Sequence, residues 1–94
     1  MMAREIVLAA AEYLASREIG LGSCIILHLT ALKYDFPGAH LLARQYNDFF
    51  HGFDGDSRPF DYLPRTYDGG PNSCPQEVID IRILMLLTFA ESLK

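Results

Sequence analysis

The chain has 94 residues, 50% of them hydrophobic and 21% charged, with a formal net charge of -4. That length permits one domain, residues 1–94, burying roughly two thirds of its unfolded surface, and excludes a second domain; the apolar content excludes a disordered chain. The eight lysines and arginines are scattered from Arg4 to Lys94 without forming a stripe, so the clustered cations that sequence-independent nucleic-acid binding requires are missing.

In the first segment, Ala3 to Ile19, apolar residues stand at Ile6, Val7, Ala10 and Leu14, with charges at Arg4, Glu5, Glu12, Arg17 and Glu18. This spacing predicts an amphipathic helix that Gly20 ends in the left-handed conformation. Glu5 and Glu12 bracket the short apolar run, which is not the arrangement of a secretory signal. Ser23 is the expected cap of a second helix running through Lys33. The run Cys24-Ile25-Ile26-Leu27 also suits a buried strand, because short apolar runs do not separate the two by period. Thr30-Ala31-Leu32-Lys33 extends it beyond ordinary strand length and favours helix. Asp35 and Pro37 supply cap and first-turn chemistry for a third helix, expected to reach about His51 and stop at Gly52.

From His51 to Pro75 the chain alternates Gly52, Gly55, Gly69, Gly70 and four prolines with Phe53, Phe60, Tyr62 and Tyr67. Loops of this length in a small domain are functional or disordered. The aromatic content argues for a long ordered loop between the third and fourth helices. Ser73 with Gln76 three residues on makes a capping-box pattern, and Pro75 suits a first turn, so a fourth helix is expected from there to the C-terminus. Its polar residues Glu77, Asp80, Thr88 and Glu91 form one narrow stripe. Apolar residues cover the rest, which predicts a helix buried on several sides or partly in a dimer seam through Ile81, Met85 and Phe89. The reading is an all-α, single-domain four-helix bundle.

No stretch reaches the 18 or so apolar residues that span a bilayer, which points to a cytosolic protein without a membrane partner. Cys24 and Cys74 are then expected as free thiols. His40 and His51 share a helix face but stand about 16 Å apart along the axis, too far for one metal ion. Cys24 and His28 lie one turn apart, the spacing of an activated thiol, yet a cysteine among Ile25, Ile26 and Leu27 reads as a small buried hydrophobe. Asp54-Gly55-Asp56 begins like a calcium loop and fails at Arg58, Pro59 and Arg65. No metal site, cofactor fingerprint or catalytic constellation is expected, hence no enzyme.

The positive signal is the loop itself. Phe53, Arg58, Phe60, Tyr62, Arg65 and Tyr67 include the tyrosines and arginines that dominate interface hot spots. They predict a non-enzymatic protein-binding module; the alternatives are a satellite core packed onto the bundle, or a small-ligand site in which a tyrosine stacks on a nucleotide base and an arginine holds phosphate. Cys24 to Leu27, the Phe49-Phe50 helix end, the aromatic Gly/Pro loop and the terminal Arg82-to-Leu87 helix ending in Ala90-Glu91 resemble small helical accessory proteins of phage and prophage genomes. The resemblance implies a product that binds and redirects a host protein, such as an anti-CRISPR-type inhibitor of host defence.

Overall fold

The computed structural model describes residues 2–16, 22–53 and 76–94; the side chains of 51–53 are not among what is described. Within them lie four helices and no strand: α1 (Ala3–Ala15), α2 (Ser23–Lys33), α3 (Ala39–Phe53) and α4 (Gln76–Ser92). The all-α expectation therefore holds, and the segment from Cys24 is helix. The expected long aromatic loop and the Ser73–Pro75 cap lie outside the described residues; the first helix, expected to run to Ile19 and stop at Gly20, instead ends at Ala15 with Ser16 as its C-cap.

Each helix buries the face its spacing dictates. On α1, Ile6, Val7, Ala10, Ala11 and Leu14 recur at helical period and are buried; on α2, Ile26, Leu27, Thr30 and Ala31 do the same. α1 packs against both α2 and α4, and α2 packs on α3. α3 meets α4 through aromatic rings. Tyr46 stands 5.5 Å from Phe89 in an edge-to-face pair and 5.1 Å from Phe50, while Phe49 lies 5.5 Å from Phe89. Such pairs contribute about 0.5–1.5 kcal/mol each beyond the area they bury.

Three more helix ends differ from the sequence reading. Ser23 does not cap α2: Gly22, in extended conformation, precedes the helix, and Ser23 is its first residue, fully buried. Asp35 does not cap α3 either. It closes α2, with φ 53°, in a Schellman arrangement: the Phe36 amide donates to the Ala31 carbonyl (2.8 Å) and the Asp35 amide to the Leu32 carbonyl (3.0 Å). The left-handed residue is usually glycine, and Asp is one of the few others that occupies it readily. Phe36 then turns inward and packs against the core. α3 starts two residues after Pro37, with the Gly38 carbonyl accepting from the Leu42 amide (2.9 Å), and it continues through Gly52 to Phe53.

α4 is buried on one side. Val78, Ile79, Arg82, Leu86, Phe89 and Ala90 face the core, while Ile81 (37%), Leu84 (64%) and Leu87 (44%) stand exposed. Burial on several sides within one chain is not what the described residues show, because α1 and the α3 aromatics cover only the inner half of this helix.

Candidate functional site

Of the residues expected to make contacts, Arg58, Phe60, Tyr62, Arg65 and Tyr67 lie outside the described residues, and Phe53 is placed only as the last backbone position of α3. The expected seam divides. Phe89 is 3% exposed and held by Tyr46 and Phe49, so it belongs to the core of its own chain. Met85 is partly buried against that core, and Ile81 reaches the surface.

What α1 and α4 present outward is a groove of about 480 Å³ whose walls are Leu8, Ala9, Ala11 and Ala15 on one side, Ile83 and Leu87 on the other, with Glu5 and Glu12 on its rim. The small alanines of α1 are what make it a groove, since a larger side chain would fill the space between the two helices. Along α4, Asp80, Leu84, Leu87 and Glu91 follow one another at spacings of four, three and four residues and so share one stripe. Two leucines thus stand between two carboxylates. On α1, α4 and the two residues after it, Glu5, Glu12, Glu77, Asp80 and Glu91 are exposed; of the cations there, Lys94 is exposed and pairs with Glu91, Arg4 is half-buried and also acts on Glu91, and Arg82 is buried. The hydrogen bond from Lys94 holds the Glu91 carboxyl below its usual range. The surface is apolar along its floor and anionic along its edges.

A second surface lies on α2. Ile25 (53%), Leu29 (48%) and Leu32 (54%) stand at i, i+4 and i+7, one continuous ridge. Tyr13, Tyr34, Glu12 and Lys33 flank it across a groove of about 430 Å³ between α1 and α2. On its other side Cys24, His28 and Ala43 line a depression of about 280 Å³. The structure therefore does bring Cys24 and His28 together. Burial, however, pushes the Cys24 thiol up to about 11, so it is held protonated at neutral pH.

Beneath these surfaces sits a polar niche that the sequence reading missed. Ser23 and Tyr46 are 0% exposed and Arg82 is 5% exposed, all within an otherwise apolar core. Burial pushes the Tyr46 hydroxyl well above the usual tyrosine range, and the nearby Ser23 and Arg82 offset this only in part. Ser23 Oγ and Tyr46 Oη are both enclosed, and neither meets hydrogen-bond geometry with a partner among the described residues. One signal for the niche was available: Arg82 stands four residues after Val78 and four before Leu86, on the buried face of α4.

Among the described residues no three His, Cys, Asp or Glu side chains converge to hold a metal ion, and no helix is long and apolar enough to cross a membrane. No protein-family model, curated protein or solved structure matches the chain.

Proposed function

We propose that the chain is a non-enzymatic protein-binding module that receives a basic, amphipathic segment of a partner protein in the groove between α1 and α4. The observation that carries this reading is the placement of Leu87, 44% exposed, in the groove with Ile83, Glu5 and Glu12, next to Leu84 (64% exposed) on the α4 stripe between Asp80 and Glu91. An amphipathic helix laid in such a groove buries its apolar face on the leucines and meets the carboxylates with its basic edges. Charge of one sign around an apolar floor speeds encounter with a cationic segment and excludes acidic ones. Arg58, Tyr62, Arg65 and Tyr67 would add the residue types that anchor interfaces. The resemblance to phage accessory proteins makes a host protein the natural class of partner.

The test is affinity capture from the natural host with the wild-type chain and with Leu84→Asp/Leu87→Asp. Both positions are exposed, so the variant is expected to keep its helical circular dichroism and lose the captured protein. Equal capture by wild type and variant would refute the assignment of this groove.

A further inference from the structure

The ridge on α2 differs from the α1–α4 groove in one decisive respect, its charge. Five large side chains, Ile25, Leu29, Leu32, Tyr13 and Tyr34, are each 39–54% exposed there. The formal charges that line its groove are one carboxylate, Glu12, and one ammonium, Lys33. From these observations we infer that the α2 ridge is the seam of a symmetric dimer, and that its occupant is the same ridge of a second copy of this chain.

An isologous contact places a patch against itself, so the patch must be compatible with its own charge. A net charge of zero on the groove meets this condition, although the whole chain carries -4. Two copies meeting through the α1–α4 groove would instead bring Glu5 and Glu12 against Glu5 and Glu12, with no cation lining either side. Like charges so juxtaposed suppress pairing. The self-association expected from the apolar content of α4 is thereby moved to α2.

The size of the ridge fits the same occupant. Five half-exposed apolar side chains amount to a few hundred Å² in one patch, at the upper end of what a monomer leaves uncovered. They form the apolar centre of a contact of about 800 Å² per partner, with Glu12, Lys33 and His28 at its polar rim. The ridge runs from Ile25 to Leu32, about 10 Å along the helix. Leu29 stands near its midpoint, so a two-fold axis there sets Ile25 of one copy against Leu32 of the other.

Light scattering on the full chain from micromolar to several hundred micromolar tests this. The expected mass is near twice 10.6 kDa, reached at concentrations that change little with added salt because the seam carries no net charge. Leu29→Glu, at a side chain 48% exposed, is expected to keep the helical spectrum and weaken dimerisation about a hundredfold or more; Ile25→Lys serves as an independent second break. Leu84→Glu on α4 should leave the dimer unchanged. A wild-type mass near 10.6 kDa throughout would overturn the inference, as would a dimer that survives Leu29→Glu and Ile25→Lys but is lost with Leu84→Glu. Capture of a host protein through the α1–α4 groove stands or falls separately, since the Leu84→Asp/Leu87→Asp variant leaves the α2 ridge intact.

Discussion

Replacing Tyr46 by phenylalanine should make this protein more stable, which is unusual for a change at a fully buried aromatic. The ring packs against Phe50 and Phe89 at 5.1 and 5.5 Å, and phenylalanine keeps both contacts. Only the hydroxyl is lost. In the folded chain that oxygen is enclosed without a hydrogen-bond partner among the described residues, whereas in the unfolded chain water solvates it. An enclosed polar group left unpaired costs about 1–3 kcal/mol. Tyr46→Phe should therefore gain about 1 kcal/mol or more, which for a domain of this size raises the melting temperature by roughly 4–8 °C. Urea unfolding followed by helical circular dichroism reads the gain, with the urea midpoint moving up at constant slope. Ser23→Ala removes the other enclosed hydroxyl, and the double variant completes a cycle. If Tyr46→Phe instead loses about 1 kcal/mol and the cycle shows coupling to Ser23, the hydroxyls are bonded to each other and the account of an unsatisfied niche is wrong.

Two further changes test the helix ends and the buried thiol. Asp35→Gly should stabilise the fold by about 0.5–1 kcal/mol in the same urea assay, because glycine occupies the left-handed position closing α2 without the strain of a Cβ; a loss would mean that the Asp35 side chain makes a compensating bond. The Cys24 thiol ionises near 9 when unfolded and at about 11 when folded. The unfolded chain therefore releases its proton first, and stability is complete below pH 9 and falls between about pH 9 and 11, by about 1–2 kcal/mol after discounting for the part of the thiol that meets solvent. Cys24→Ala should flatten the urea midpoint across that window. An unchanged slope against pH would show that another group carries the alkaline loss.

The helices were legible because their apolar periods are strong: Ile6, Val7, Ala10 and Leu14 on α1 and Ile26, Leu27 and Ala31 on α2 face inward as their spacing requires. The helix ends were less so. Ser23 and Asp35 are both good capping residues, and local chemistry alone cannot tell a cap from the first buried residue of a helix or from the left-handed residue that closes the preceding one. α4 misled for a different reason. Its apolar residues surround the helix, so composition cannot say which of Ile81, Leu84, Leu87 and Phe89 the neighbours cover; that depends on where α1 and the Tyr46–Phe50 rings lie. Neither surface proposed for binding was visible as such. The α1–α4 groove needs the small residues of one helix beside the leucines of another, and the α2 ridge looks like core until α1 and α3 are seen to leave it open.

Charge exchange across the contact tests the central claim most directly. Glu5→Lys/Glu12→Lys should abolish capture of the partner while leaving the helical spectrum intact, and replacing the partner's contacting lysines or arginines by glutamate should restore binding to the reversed variant. Undiminished capture by Glu5→Lys/Glu12→Lys, or loss that the partner's reversed charges do not rescue, would contradict the assignment of the α1–α4 groove as the site that receives a basic segment.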